Sequence, residues 1–387
     1  MKSQQNKPLV SILLPTHNRV DVLPFAIRSV LAQTVQDFEL LVVGDGCTDD
    51  TAGVVQGFND SRIYWFDLPK GPAFGYANRN TVLQKAQGEF IAYMSHDDLW
   101  LYDHLERLLP FFDSQNIEIA FSRPLWVIPS GKIVPEIYNL NHGPTLDVFL
   151  NKKNWIPSNC AIHRRTCFLK YGYWDDTLPI AGDWDLWKRI INGGKRENFV
   201  YLSESTCLHF KASWRDESYD NVLGFRFWRW LFDSDQMPVA LEVGISDGMT
   251  EQRAIWEAMS STPRIWAGKV RTAVVQVLDL FALQGRLFME TLLEIDEKLI
   301  DRSRKEKTSF EVMKSPFLKR RQQMQLNQNI LKDIQVELVN TQNELEMIKS
   351  TFAWKIHEYV ANAGFVHRIY VVVIAPLLRW GFKNKSR

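Results

Sequence analysis

The stretch 38–51 reads FELLVVGDGCTDDT, an apolar run followed by a glycine turn and a group of small polar residues. Residues 38–43 predict a buried strand, because short aromatic, leucine and β-branched runs bounded by turn residues are typical of strands. Gly44, Asp45 and Gly46 end this strand, and the polar residues that follow can cap a short helix running through Val55. A strand that leads directly into a helix is the repeating unit of α/β sheets.

The same unit recurs on both sides of this stretch. Further strands are predicted at 10–14, 63–66 and 90–94, and helices at 22–31, 72–86 and 184–191. The βαβαβαβ order of the first hundred residues predicts a mostly parallel, Rossmann-like sheet flanked by helices. Ligands of such sheets bind beyond the carboxyl ends of the strands. The segments after Leu14, Val43 and Met94 are therefore the candidate binding loops.

Each of these segments carries polar residues that also have a plain structural explanation. Residues 15–19 suit a turn, and Asp45 lies in a glycine turn where it can cap a helix or accept a hydrogen bond from a base or ribose. Asp97 and Asp98 are adjacent carboxylates that need a cation or a helix N-terminus to offset their repulsion. Mg²⁺ and Mn²⁺ favour oxygen ligands of this kind, shared with nucleotide phosphates. Taken singly, the segments do not decide between these alternatives.

The motifs become specific when they are taken together and in order. Along the chain they are PTHNR at 15–19, GDGCTDDT at 44–51, ANRN at 77–80, AQGEF at 86–90 and SHDDLW at 95–100. This ordered set resembles the family 2 glycosyltransferases over about residues 8–215. The resemblance implies a GT-A fold and an enzyme that uses a nucleotide-sugar donor.

The resemblance also implies which residues bind the donor. The expected nucleotide-binding residues are Pro15, Thr16, Arg19, Asp45, Arg79 and His96. Asp45 corresponds to the acidic residue with which the family recognises the base, usually uracil. Arg79 corresponds to an arginine near the donor diphosphate. Gly44 stands where the family commonly has an acidic residue, which leaves the identity of the base open.

A divalent cation, Mn²⁺ or Mg²⁺, is the implied cofactor. Its expected ligands are Asp97, Asp98 and His209. Asp97 matches the last carboxylate of the family's D-x-D motif, while Ser95 replaces the first, so Asp97 must act as the main protein ligand. His209 lies where some members have a metal- or phosphate-contacting histidine, and a structural histidine explains it equally well.

The expected catalytic residue is Asp183, in the segment AGDWDLWKR at 181–189. This segment resembles the family's E-D-x-D-L-W segment, with Gly182 in place of the glutamate. An acceptor hydroxyl is a poor nucleophile until a carboxylate takes its proton, and partial burial would raise the pKa of Asp183 towards the working range. Asp185 is better explained as a charge at a helix N-terminus. Tryptophans that could stack on a sugar, or simply pack in the core, stand at 155, 174, 184, 187 and 214.

Composition excludes several other classes of protein. The 387 residues are 45% hydrophobic and 24% charged, which argues against a wholly disordered or fibrous chain. A net charge of +1 provides no chain-wide basic field for nucleic acid. The four cysteines lack the paired spacing of metal sites and suit a reducing compartment. No apolar run approaches ~20 residues, so no transmembrane helix is predicted, and we expect a cytoplasmic location.

The remainder of the chain is expected to be helical. We predict a GT-A domain at 1–220, a helical domain at 221–310, a coiled coil at 311–350 and an amphipathic basic and aromatic segment at 351–387. A heptad seam with polar interruptions supports the coiled coil, although a single amphipathic helix explains it as well. The last segment has the composition of an interfacial anchor or of a docked helix. These features motivate expected contacts with a second copy of the chain and with the inner face of a membrane.

The function expected from these observations is an inverting glycosyltransferase. It would move a sugar from a nucleotide-diphosphate donor, expected to be a UDP-sugar, to a hydroxyl of a glycan or lipid-linked acceptor in surface polysaccharide or glycoconjugate assembly. Two alternatives stay open: a nucleotidyltransferase, or a non-catalytic scaffold with a decayed transferase domain. The departures at Gly44, Ser95 and Gly182 motivate the second alternative.

Overall fold

A computed structural model of the chain describes residues 7–210, 228, 231–232 and 236–283. The chain divides into two compact units, one comprising residues 1–223 and 231–275 and the other residues 224–230 and 276–387. The described sheet lies entirely in the first unit. Its strands are β1 Val10–Thr16, β2 Phe38–Asp45, β3 Ile63–Leu68, β4 Phe90–Tyr93, β5 Leu99–Trp100, β6 Ile119–Val127, β7 Ile133–Pro135, β8 Ala161–Arg164 and β9 Phe199–Phe210.

Helices connect and flank these strands. They are α1 Leu23–Leu31, α2 Thr51–Gln56, α3 Tyr76–Leu83, α4 His104–Leu108, α5 Gly143–Asn151, α6 Cys167–Tyr171, α7 Gly182–Gly193 and α8 Glu251–Ser260, with a ninth beginning at residue 263. Short 3₁₀ helices lie at Leu109–Asp113, Ser158–Cys160 and Val239–Leu241.

The first half of the sheet is parallel, as the sequence predicts. β1 lies between β2 and β4 and is parallel to both, and β3 adds in parallel to the other edge of β2. β1 and β2 are buried along almost their whole length, which is why they read as continuous apolar runs. The carboxyl ends of these strands therefore meet at one edge of the sheet, where the candidate binding loops begin.

The second half of the sheet is mixed, and the strand order is β3-β2-β1-β4-β8-β6-β9-β5 with β7 beside β6. β8 is antiparallel to both β4 and β6, and β9 is parallel to β6. Two reversals restore the original direction, so β6 and β9 also end at the edge where β1, β2 and β4 end. The mixed, mostly parallel sheet with flanking helices confirms the predicted fold class.

One predicted helix is shorter than expected, and backbone geometry explains why. The pattern predicts a helix over 72–86, but α3 spans Tyr76–Leu83. Ala73 and Gly75 have φ of 48° and 70°, in the left-handed region that a right-handed helix cannot include. The segment before α3 is consequently a loop, and it folds back towards the end of β2.

Helical residues 251–260 and 263–275, after the sheet, also belong to the first unit. Arg271, on the ninth helix, donates to the buried Asp103 from both terminal nitrogens, at 2.9 and 2.6 Å. Arg107 donates to the same carboxylate at 2.6 Å. Burial raises the pKa of Asp103, but these two arginines outweigh it, so its pKa lies below the usual range.

The predicted coiled coil and C-terminal segment lie outside the described residues, and the predicted domain boundaries remain predictions. Within the described part of the chain, no helix combines the length and the apolar character needed to cross a bilayer.

Candidate active site

The loop after β1 is fastened to the loop after β2. The His17 ring bonds to the carbonyl oxygen of Asp45 through Nδ1 at 2.8 Å. Asn18, which has a φ of 50°, accepts from the backbone N–H of Thr48 at 2.7 Å. The Thr16 hydroxyl is buried and, in the described structure, bonds to no protein group. A buried hydroxyl without a protein partner is costly, and a ligand at this edge would satisfy it.

Asp45 lies at the end of β2 in an enclosed, donor-rich position. Its carboxylate accepts from Lys70 Nζ at 2.5 Å, from the backbone N–H of Gly71 at 2.7 Å and from Asn78 Nδ2 at 2.6 Å. Burial raises the pKa of Asp45. The three hydrogen bonds together lower it by more than burial raises it, so the net shift of the pKa is downward. At Gly75, an added Cβ would lie 2.6 Å from an Asp45 oxygen. Asp45 is thus an ionised acceptor held by the loop before α3.

Arg79 projects from α3, and its guanidinium lies over two neighbouring aromatic rings whose centroids are 5.4 Å apart. Its guanidinium lies 5.2 Å from the Tyr76 ring centroid and 5.0 Å from that of Trp174. Its Nε is buried and has no hydrogen-bond acceptor in the described structure. Burial lowers the pKa of Arg79, and nearby Tyr76 and Asp183 oppose that change. These cation–π contacts restrain the guanidinium while leaving hydrogen-bonding capacity for an anionic ligand.

Asp183 lies in the first turn of α7, two residues after the left-handed Ala181 that precedes the helix. Ala181 has a φ of 61°, in the left-handed region, and it caps this helix. Asp183 Oδ1 accepts from the backbone N–H of Trp184 at 2.7 Å. Burial raises the pKa of Asp183, and the Trp184 bond, Arg79 and His209 oppose the rise without cancelling it. The carboxylate is therefore more basic than a solvated aspartate, as the sequence predicts for a group that accepts a proton.

His96 and Asp97 occupy the turn after β4. His96 Nε2 lies 3.9 Å from Asp97 Oδ1. Burial lowers the pKa of His96, against the opposing influence of Asp97, while Arg19 and Arg79 lower it further. A neutral imidazole and a carboxylate therefore face the same region as the two arginines.

Asp98 points elsewhere, towards the end of β9. It is fully buried. One of its oxygens bonds to His209 Nδ1 at 2.9 Å, and the other accepts from the backbone N–H of Phe210 at 3.0 Å. Arg79 and His209 both influence the pKa of Asp183, and Arg79 and Asp98 both influence that of His96, so these charged residues lie within electrostatic reach of one another.

The donor set fits a divalent cation in part. Asp97 supplies a carboxylate, and His209 supplies an imidazole whose other nitrogen bonds to a carboxylate, as is common for metal-binding histidines. Within the described residues, however, no three His, Cys, Asp or Glu side chains are grouped so that they could hold a metal alone. A cation at this edge would need oxygens from a ligand or water, which is usual for Mg²⁺ beside phosphates.

The structure separates the tryptophans into two groups. Trp155, Trp174 and Trp187 are buried, which supports core packing over sugar stacking. Trp184 is half-buried, and its Nε1 donates to the carbonyl oxygen of Phe149 at 2.8 Å. Trp214 lies outside the described residues.

Several residues at the site carry no sequence signal of their own. Tyr76, Lys70 and Trp126 contact Arg79, Asp45 and His209 respectively. Tyr76 immediately precedes the ANRN motif, so the motif could have drawn attention to it, and Lys70 lies seven residues before the motif. Trp126 lies far from any motif, and only the pairing of β6 with β9 brings it to His209.

Two departures from the family pattern have a steric cause. At Gly44, an added Cβ would lie 2.3 Å from the Trp65 ring, and at Gly182 it would lie 2.9 Å from the Tyr76 ring. Both distances are far below ordinary contact, so an aromatic side chain fills the space that a glutamate or aspartate would need.

Comparison with known proteins agrees with this geometry. Residues 11–167 match the family model described as Glycosyl transferase family 2. This segment of the chain is therefore similar in sequence to family 2 glycosyltransferases.

Two relatives indicate how far the sequence similarity extends. The chain is similar to the Escherichia coli UDP-Glc:alpha-D-GlcNAc-diphosphoundecaprenol beta-1,3-glucosyltransferase WfgD. The two are 38% identical over 115 residues, and this match covers 29% of this chain and 44% of the relative. The chain is also similar to the Bacillus subtilis putative teichuronic acid biosynthesis glycosyltransferase TuaG. The two are 34% identical over 118 residues, and this match covers 30% of this chain and 46% of that protein. The chain spans less than half the length of both relatives.

Among solved structures, the chain is similar to Staphylococcus aureus TarS 1-349 in complex with UDP. The identity is 21%, the TM-score is 0.44, and the match covers 58% of this chain and 66% of the other. It is also similar to the Pyrobaculum calidifontis mannosyltransferase PcManGT in complex with GDP-Man and Mn²⁺, at 16% identity and a TM-score of 0.42, covering 76% of this chain and 81% of the other.

Proposed function

We propose that this protein transfers a sugar from a nucleotide-diphosphate donor, most simply a UDP-sugar, to a hydroxyl acceptor with inversion at the anomeric carbon. The observation that carries the proposal is the half-buried Asp183 at the start of α7. Its pKa is raised, and it lies within electrostatic reach of Arg79 and His209 at the edge where the strands end.

Asp183 would act as the general base. The acceptor oxygen forms a bond to the anomeric carbon while the bond from that carbon to the diphosphate oxygen breaks, and the carboxylate takes the hydroxyl proton. Attack from the face opposite the leaving group converts an α-linked donor into a β-linked product, and no covalent enzyme intermediate is required. A base of raised pKa suits this task, because proton transfer is most effective when the base's pKa lies near the working pH.

Thr16, Asp45 and Arg79 would bind the donor. Asp45 is an ionised acceptor suited to the N–H of an imide-containing base such as uracil. The stacked guanidinium of Arg79 would balance charge that develops on the departing diphosphate, and it is already oriented before the reaction. Pro15, Arg19 and His96 are proposed to complete this side of the site.

Asp97 and His209 are the residues we propose to hold a divalent cation, with diphosphate oxygens and water as further ligands. Such a cation would neutralise charge on the leaving group.

The biological setting is proposed from the relatives. WfgD is named for a glucosyl transfer to a diphosphoundecaprenol-linked sugar, and TuaG for teichuronic acid biosynthesis. A role in surface polysaccharide or glycoconjugate assembly, with a glycan or lipid-linked acceptor at the inner face of a membrane, is consistent with both names.

A donor screen tests the proposal. The full chain would be incubated with UDP-, GDP- and TDP-sugars, with Mn²⁺ or with a chelator, and release of the nucleoside diphosphate would be measured. We expect release from one class of donor that depends on metal, and NMR of the product should report an inverted anomeric centre. A scaffold would release nothing, and a nucleotidyltransferase would release pyrophosphate from a nucleoside triphosphate and a sugar phosphate.

A further inference from the structure

The two carboxylate oxygens of Asp98 are both engaged by β9. One bonds to His209 Nδ1 at 2.9 Å, and the other accepts the backbone N–H of Phe210 at 3.0 Å. The carboxylate is fully buried. A carboxylate can only accept, so His209 must donate from Nδ1, and a neutral ring then carries its lone pair on Nε2. These contacts set both the tautomer and the direction of the imidazole.

A second contact restrains the same ring from β6. Trp126 and His209 are register partners in the parallel pairing of β6 with β9. Their ring centroids lie 5.0 Å apart at an interplanar angle of 87°, an edge-to-face arrangement. The imidazole is thus held at its Nδ1 by Asp98 and packed at right angles to an indole.

The indole has its own anchor in Glu136, which follows β7. One Glu136 oxygen accepts from Trp126 Nε1 at 3.1 Å, and the other accepts from the backbone N–H of Tyr138 at 3.3 Å. Glu136 is 8% exposed, so little water competes for these bonds. β7 pairs only with β6 in the described sheet, so Glu136 ties this outer hairpin to the tryptophan beside His209.

We propose that Asp98 and Glu136 are positioning residues for His209. Asp98 holds the imidazole as its Nδ1–H tautomer, and Glu136 acts through Trp126 to keep the ring in one orientation. This differs from the expected role of Asp98 as a metal ligand, because its fully buried carboxylate is directed at His209 and Phe210 at the end of β9. The structural claim stands without the proposed function, and only its consequence for cation binding rests on that function.

The tautomer can be read directly by ¹⁵N NMR of the full chain labelled at histidine, with His209 assigned by its disappearance in His209→Gln. In the wild-type protein, neutral His209 should show a protonated Nδ1 and an unprotonated Nε2. The reverse tautomer in the wild type would overturn the proposal without any variant. His163 is an internal control, because its Nδ1 faces the carbonyl oxygen of Arg164 at 2.8 Å and lies apart from Asp98.

Variants then test each positioning residue separately. Asp98→Asn should give His209 a mixture of tautomers and leave His163 unchanged. Glu136→Leu should shift the His209 ring-proton resonances by altering the Trp126 ring current, whereas Glu136→Gln, whose amide oxygen can still accept from Trp126, should restore them. Unchanged His209 signals in both Asp98→Asn and Glu136→Leu would contradict the proposal.

A measurement of cation binding distinguishes failure of this inference from failure of the proposed function. Titration of the protein with Mn²⁺ in the presence of UDP should show about 10- to 100-fold weaker metal binding for Asp98→Asn. If the NMR results hold and Mn²⁺ affinity does not change, the positioning role stands and the proposed metal role of His209 fails.

Discussion

The hydroxyl of Tyr76 accepts the backbone N–H of Gly182 at 3.2 Å, and the Tyr76 ring fills the space that any side chain at 182 would occupy. This contact joins the start of α3 to the start of α7. It therefore sets the distance between Arg79 and Asp183, the two residues that the proposed function assigns to the leaving group and to the base.

Replacing Gly182 with alanine should be destabilising. The new Cβ would meet the Tyr76 ring at 2.9 Å, and overpacking of this kind costs about 1–3 kcal/mol in the free energy of unfolding. Gly143 is a matched control, since it also begins a helix but has no atom within 4 Å of an added Cβ. Urea unfolding should show a lower free energy of unfolding for Gly182→Ala and an unchanged one for Gly143→Ala. Equal free energies of unfolding for the two variants would mean that the Tyr76 ring moves aside without destabilising the protein.

Removing the charge of Arg79 should weaken binding of the donor. The loss of a hydrogen bond to a charged group costs about 1.5–3 kcal/mol, so Arg79→Met should raise the Kd for UDP about 10- to 100-fold. Arg62→Met is the control, because Arg62 also lies over an aromatic ring, Phe38 at 4.4 Å, but pairs with Asp60 away from the site. Calorimetric titration with UDP that shows similar affinities for both variants would contradict the role of Arg79.

Lys70 should support the low pKa of Asp45. A lowered folded-state pKa contributes stability that is present above the unfolded value of about 3.9 and is lost as the pH falls through the folded value. Lys70→Met should raise the pKa of Asp45 towards its usual range, so the acid-induced loss of stability should begin at higher pH. Lys132→Met, which breaks the exposed pair with Glu242, should leave the Asp45 carboxyl signal in a ¹³C NMR pH titration unchanged. A titration of Asp45 that is the same in Lys70→Met would show that Lys70 does not control it.

The raised pKa of Asp183 should appear in the pH dependence of transfer. Only the deprotonated carboxylate can take a proton, so the rate should fall as the pH drops through the raised pKa. The acid limb of the kcat/KM profile should therefore lie above about pH 3.9, the usual value for an aspartate. Because Arg79 opposes the rise, Arg79→Met should move this limb to still higher pH, and a shift in the other direction would contradict the assignment.

The first half of the sheet could be predicted because its residues carry local signals. β1 and β2 are unbroken apolar runs that end in polar loops, so Thr16 and Asp45 could be assigned to the same edge from strand order alone. The late start of α3 could not be foreseen, because the left-handed conformation of Ala73 is not a property of alanine. The predicted helix therefore began too early, within the loop that precedes α3.

The second half of the sheet depends on contacts between distant residues. β6 pairs with β9 about eighty positions further along the chain, and no periodicity within either strand encodes that choice of partner. The contact of Trp126 with His209 follows from this pairing, and the anchoring of Trp126 by Glu136 follows from the pairing of β6 with β7, so neither could be predicted from the sequence. The SHDDLW motif marked Asp98, and the family resemblance separately marked His209, but neither indicated the bond between them.

The most direct test of the proposed chemistry compares two aspartates on α7. Asp183 lies within electrostatic reach of Arg79, whereas Asp185, two residues later, forms an ion pair with Arg189 at 2.8 Å. Transfer from a sugar nucleotide should fall about 10²- to 10⁴-fold in Asp183→Asn and change little in Asp185→Asn, while both variants bind UDP as the wild-type protein does. Equal transfer rates for Asp183→Asn and the wild-type protein would contradict the central claim that Asp183 is the base.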